Sequence, residues 1–203
     1  METGKPTWWD DAHTFLSQDE ILGPVVRSYP HESLVGKGDL SSTLVRSIVG
    51  QQISVIAADA VWGRLVELIG EVTPEAIRPF SPEELAPCGL TRSKSSYIHG
   101  LAMDSEAFLL PNWNEYTDKE LLKHFTAFRG IGPWTSEMIL IFTLMRPDVF
   151  SIGDIGLIRA VQKLVPEADP KEKVLEISKR WMPYRTAASW YLWRMLDPVP
   201  VEY

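Results

Sequence analysis

The chain has a single cysteine, Cys88, in 203 residues. That excludes an internal disulfide framework and any four-cysteine zinc or iron–sulfur site. It has no apolar run of the length a membrane span needs, and Met1-Glu2-Thr3-Gly4-Lys5-Pro6 carries neither the basic nor the apolar region of a secretory signal. No membrane partner and a cytoplasmic location are therefore expected. Repeats and low-complexity tracts are absent. Positive charge is in short supply: 20 Lys and Arg face 27 Asp and Glu, a formal net charge of -7. Duplex-binding proteins usually carry a basic face that displaces counterions, so this balance weighs against a nucleic-acid partner. The objection weakens if backbone amides hold phosphates and the acids lie elsewhere.

What is present suits a soluble globular chain. Hydrophobic residues make up 45% and charged residues 23%, and the length suffices for one well-cored domain of one or two lobes. Apolar spacing is helical throughout. Helices are expected over 19–29 (Ile21, Leu22, Val25 and Val26 inward), 93–103, 119–128, 135–145, 157–164, 172–181 and 186–195. Residues 40–69 read as one or two helices with Leu44, Ile48, Val55, Val61, Leu65 and Leu68 buried. Residues 104–118 read as a loop or short helix and 166–170 as a turn. Thr73-Pro74 and Ser81-Pro82 are helix starts. Trp8 and Trp9 are expected to cap the body, and Trp181, Trp190 and Trp193 to be core.

Between two of these helices stands Phe128-Arg129-Gly130-Ile131-Gly132-Pro133-Trp134-Thr135. Gly130 and Gly132 permit positive φ and close backbone approach, and Pro133 suits a first helical turn. Such a turn is commonly a tight connection and nothing more. It also directs amides at the positive end of a helix dipole outward, where a phosphate oxygen is the natural ligand. Further on, Ile152-Gly153-Asp154-Ile155-Gly156-Leu157 places an aspartate at a helix start, where a capping role is the ordinary one.

These two blocks, with Val49-Gly50-Gln51-Gln52-Ile53-Ser54 and Gly89-Leu90-Thr91-Arg92-Ser93-Lys94-Ser95-Ser96-Tyr97-Ile98, resemble the helix-hairpin-helix DNA glycosylase superfamily, nearest its alkylpurine branch. The likeness runs from about residue 40 to the C-terminus, and four ordered motifs are more specific than one. It implies an all-α, two-lobed fold in a single domain with an active-site cleft between lobes. Lobe one would be about 37–127, lobe two about 1–36 with 136–203, and the hairpin about 119–145. It implies a monomer that binds double-stranded DNA containing alkylated bases, flips a nucleotide out and hydrolyses its N-glycosidic bond in base-excision repair.

Residue roles follow from the resemblance. Asp154 would be catalytic, Trp134, Tyr184 and Met138 would line the base pocket, and Gln52 and Leu90 would be wedges in the DNA. Gly130, Gly132, Thr135, Arg92 and Lys94 would meet the DNA backbone. Arg46, Arg129, Arg159 and Arg185 also sit in or beside these motifs. From the residues alone, Leu90 reads as core, and Gln51 and Gln52 read as one surface and one buried amide. Bifunctional relatives carry a Schiff-base lysine at the position of Trp134, so no lyase activity is expected. No cofactor and no side-chain metal site are expected, though a monovalent cation on the hairpin's backbone carbonyls is a family feature. Two alternatives stand beside the enzyme: a non-catalytic damaged-DNA-binding module, and a helical scaffold whose glycines are only turns.

Overall fold

A computed structural model describes residues 3–36, 38–108, 110, 112–168 and 171–197. Its described residues form thirteen α-helices, three short 3-10 turns and one isolated bridge between Gly4 and Gly36, with no extended sheet. They fall into two units, Asp39–Ile139 and Met1–Gly38 with Leu140–Glu202.

The Asp39–Ile139 unit begins with α3 (Leu40–Gly50) and α4 (Val55–Ile69). Asp39 caps α3 by accepting from the Ser41 and Ser42 amides, and Ser54 caps α4 through the Ala57 amide. The intervening turn corrects the expected buried stripe. Leu44, Ile48, Val61 and Leu65 are buried, but Val55 is 45% and Leu68 41% exposed. Helical phase does not carry across non-helical residues, so the stripe restarts on α4 as Ala58, Val61 and Leu65. Short helices α5 (Pro74–Ile77) and α6 (Pro82–Leu85) start at Thr73 and Ser81 and pack on α7 (Arg92–Met103). After α8 (Ser105–Phe108), α9 (Asp118–Thr126) starts at a capping box in which Thr117 and Glu120 satisfy each other's amides. Leu121 and Phe125 bury its apolar face. The hairpin follows and leads into α10 (Pro133–Phe142).

The other unit joins both ends of the chain: α1 (Trp9–Leu16), α2 (Gly23–Arg27), α11 (Ile155–Leu164), α12 (Lys171–Ser178) and α13 (Arg185–Leu196). The helix expected over 19–29 shrinks to α2, because the Asp19 carboxylate takes the Ile21 and Leu22 amides in a turn. The helix expected over 135–145 ends at Phe142, and Met145 turns left-handed at φ 47°. Part of the turn expected at 166–170 lies outside the described residues. The core holds Trp181, Trp190 and Tyr191 against Trp9, whose ring meets Trp190 edge-on at 5.4 Å. Burial pushes the Tyr191 hydroxyl pKa up, and His13 Nδ1 lies 2.8 Å from that oxygen.

Candidate functional site

Asp154 is the N-cap of α11, half-buried, in extended backbone at φ -83° and ψ 115°. Its Oδ1 accepts the Leu157 amide at 2.8 Å and the Trp193 indole N–H at 3.3 Å. The first is ordinary capping; the second comes from a core residue of α13, whose ring stacks on Phe142 at 5.8 Å. Gly156 makes room for this arrangement, since a Cβ there would stand 2.9 Å from Asp154 Oδ1 and 3.6 Å from the Trp193 ring. Asp154 Oδ1 thus takes donors from Leu157 and Trp193, with Gly156 leaving the space, and sequence alone marks none of these contacts.

Tyr184 caps α13 in the same unit, directly after the cis Met182–Pro183 bond. Its ring is stacked with Trp8 at 6.4 Å and 21° and is met by the edge of Phe15 at 5.7 Å. Trp8 is fixed in turn by its indole N–H donating to the Met145 carbonyl at 2.9 Å. Sequence patterning treats Trp8 and Trp9 as one cap, whereas the structure gives Trp9 to the core and Trp8 to Tyr184.

The hairpin belongs to the Asp39–Ile139 unit. Gly132 is the N-cap of α10, its carbonyl accepting the Ser136 amide at 3.0 Å, so Pro133, Trp134 and Thr135 form the first turn. First-turn amides have no intrahelical acceptor, which gives the hairpin the character of an anion site. Gly130 has φ +90°, and a Cβ there would fall 2.4 Å from the Tyr97 ring of α7. The hairpin thus lies against Tyr97, and the Arg129 guanidinium stands 5.7 Å from the same ring's centre.

Gln52 is exposed between α3 and α4 with φ +59°, a left-handed conformation that few non-glycine residues adopt. Its neighbour Gln51 turns inward, donating through Nε2 to the Gly130 carbonyl at 3.2 Å and to Thr135 Oγ1 at 3.0 Å. One glutamine outside and one satisfied within is the arrangement that the residue types alone suggest.

Several expected roles are corrected. Lys94 does not point at solvent: its Nζ donates to the carbonyls of Val49 at 2.8 Å and Gln51 at 2.7 Å. Burial lowers its pKa from the ordinary lysine value. Thr135 is 1% exposed and its hydroxyl oxygen receives Gln51, so its side chain is structural. Leu90 is 7% exposed and Met138 1%, so both side chains pack within the protein. Trp134 is half-buried on the first turn of α10, and Arg92 is exposed on α7. Arg46 is tied to Asp59 and to the Trp62 ring, and Arg185 holds Asp148 through Nε at 2.7 Å and Nη2 at 2.9 Å. Among the described residues, no cluster of His, Cys, Asp and Glu suits a metal ion, and no helix is long and apolar enough to cross a membrane.

An all-α chain with this glycine hairpin, and an aspartate capping the next long helix, defines the helix-hairpin-helix class. The family model described as HhH-GPD superfamily base excision DNA repair protein matches residues 45–183, and the chain belongs to that superfamily. Among its curated relatives, DNA-3-methyladenine glycosylase 1 of Schizosaccharomyces pombe is 32% identical over 181 residues, covering 85% of this chain and 79% of that protein. The Bacillus subtilis DNA-3-methyladenine glycosylase is 32% identical over 194 residues, and the match spans 88% of this chain but 64% of that protein. A solved structure of the S. pombe 3-methyladenine DNA glycosylase with abasic DNA matches with a TM-score of 0.79 at 31% identity, covering 91% of this chain and 95% of that one.

Proposed function

We propose that the protein is a DNA glycosylase that hydrolyses the N-glycosidic bond of alkylated purines in duplex DNA and leaves an abasic site. The observation that carries this is Asp154, a half-buried carboxylate fixed by Leu157 and Trp193 within the segment matched to the superfamily. The names of the relatives and the abasic-DNA complex of the S. pombe enzyme support the same substrate class.

The chemistry suits a lone carboxylate. Alkylation at N3 or N7 leaves the purine cationic, so the base departs without a general acid. The remaining task is to stabilise a sugar acquiring oxocarbenium character and to position water. A carboxylate does more for that cation in the transition state than in the ground state, which is the condition for raising kcat. Tyr184, backed by Trp8, supplies an electron-rich ring for a cationic base. Gln52 is the side chain assigned to fill the stack after extrusion. Hairpin amides and the exposed Arg92 hold phosphates.

No lyase step is assigned, because the hairpin presents Trp134 and no amine for a Schiff base. A monovalent cation on the hairpin would rest on the Phe128 and Gly130 carbonyls, each of which accepts a bond from within the protein and has a second lone pair, whereas Gly132 already accepts both the amide and the hydroxyl of Ser136. The protein is assigned as a cytoplasmic monomer acting wherever the cell's DNA lies.

The test is release of free base from methylated duplex DNA by wild type and by Asp154→Asn, with binding to an abasic-site analogue in parallel. Asparagine caps a helix as well as aspartate, so the variant removes the charge and keeps α11. Wild type should release methylpurines without cutting the strand, and the variant should bind the analogue but release little. If neither protein releases base while both bind the analogue, a non-catalytic damage-binding module replaces the enzyme.

A further inference from the structure

The strongest unassigned feature is a chain of polar contacts inside the Asp39–Ile139 unit. It begins at Lys94, whose Nζ donates to the Val49 and Gln51 carbonyls at the C-terminal end of α3. Those carbonyls belong to the group that a helix end leaves without intrahelical partners, and a cation there also complements the helix dipole. It continues through Gln51, whose side chain reaches the Gly130 carbonyl and Thr135 Oγ1 in the hairpin. Tyr97, one turn beyond Lys94 on α7, closes the loop by lying against Gly130, where no Cβ fits. Gln52 is the next residue after this anchorage, exposed and left-handed.

On the glycosylase assignment above, we propose that Lys94 and Gln51 form a clamp that positions Gln52 and ties the wedge turn to the phosphate-binding hairpin. Lys94 then touches neither DNA nor the reacting atoms; it is a positioning residue that acts through Gln51. A left-handed glutamine is unfavourable locally and holds its conformation only where surrounding contacts over-determine it. Lys94 fixes the backbone on one side of Gln52, and the hairpin fixes the side chain of the residue before it. A phosphate seated at the hairpin and a side chain entering the duplex would thereby keep a constant spacing, which extrusion of one particular nucleotide requires.

The experiment uses a duplex with an abasic-site analogue and 2-aminopurine in the opposing strand, whose fluorescence reports unstacking. Lys94→Met keeps the aliphatic stem and removes the donors, Lys94→Arg restores donors, and Gln51→Met breaks the clamp at its other end. Lys94→Met and Gln51→Met should each weaken the fluorescence change and lower single-turnover base release by about tenfold or more, because small displacements remote from the chemistry are costly. Lys94→Arg should recover part of both. The dependence of log affinity on log salt should keep its slope, and adding Gln52→Ala to Lys94→Met should cost little beyond either change alone.

A slope reduced by about 0.9 in Lys94→Met, with unstacking intact, would make Lys94 a phosphate ligand and overturn the clamp. So would multiplicative losses in the double variant, or losses explained entirely by the folded fraction. If Lys94→Met does not fold, Gln51→Met alone decides by the same readouts. A wild type that unstacks the probe but releases no methylpurine fails the proposed activity and leaves the clamp to be judged by fluorescence. A wild type that does not unstack it overturns the role of Gln52 and the clamp together.

Discussion

The Trp193 indole N–H donates to Asp154 Oδ1 across 3.3 Å, joining a core residue of α13 to the carboxylate that caps α11. Trp193→Phe keeps an aromatic ring against Phe142, deletes the donor and leaves a smaller side chain in the core. A hydrogen bond of this kind contributes about 1 kcal/mol, so base release should fall by roughly fivefold while the fold persists. Single-turnover kinetics with a thermal melt would check this; unchanged kinetics would remove Trp193 from the site.

Gly156 separates stability from activity. It sits in the first turn of α11, where alanine is the better helix former by up to about 1 kcal/mol. Its Cβ would nonetheless meet Asp154 Oδ1 at 2.9 Å and force the carboxylate off its two donors. Gly156→Ala should therefore melt no lower than wild type and release base markedly more slowly. A variant as active as wild type would show that the carboxylate's present position is not the working one.

DNA binding should respond to salt less steeply than the number of basic residues near the motifs suggests. Arg46, Lys94 and Arg185 are engaged within the protein, while Arg92, Arg129 and Arg159 are exposed. Each exposed arginine that meets a phosphate should contribute about 0.9 to the slope of log affinity against log salt. Alanine at position 92, 129 or 159 should flatten that slope, and alanine at 185 should lower the melting temperature with the slope retained. Titrations at four or five salt concentrations would separate the two groups.

Acid sensitivity should centre on Asp19. Burial of this carboxylate works to raise its pKa, but the Leu22 amide, the Trp181 indole, the Ile21 amide and the Arg180 guanidinium outweigh it, and the net shift is downward. The unfolded chain therefore takes up this proton at a higher pH than the folded protein. The stabilisation is complete above the ordinary aspartate value of about 4 and is lost as pH falls through the lower folded value. Urea midpoints of wild type and Asp19→Asn should differ at neutral pH and converge at the acid end. A gap independent of pH would assign the effect to packing.

How much of the fold and the site is legible in the sequence depends on how local the physics is. Helix starts at Thr73 and Ser81 are read directly, because the capping hydroxyl and the amide that donates to it lie within three residues. The hairpin and Asp154 are visible for the same reason, with the resemblance supplying their meaning. Lys94 is misread because its acceptors are 43 and 45 residues away, and a lysine in a motif looks the same whether it faces a phosphate or a buried carbonyl. Leu90 and Met138 take their expected roles from family analogy, against the apolar character that puts them in the core. Gly156 and Trp193 leave no local trace, since one acts by lacking an atom and the other from a helix 39 residues on.

The left-handed backbone at Gln52 carries an evolutionary consequence. Glycine adopts φ +59° freely, so Gln52→Gly would relieve roughly 1 kcal/mol of backbone strain and raise thermostability, provided the turn keeps its shape. It would also leave the turn with nothing to place in a duplex. A library sorted only for heat resistance should drift to glycine at position 52, and one sorted for survival under methylating stress should reject it. Opposite preferences in the two selections at a single codon would mark the residue as kept for its side chain, at the expense of the fold.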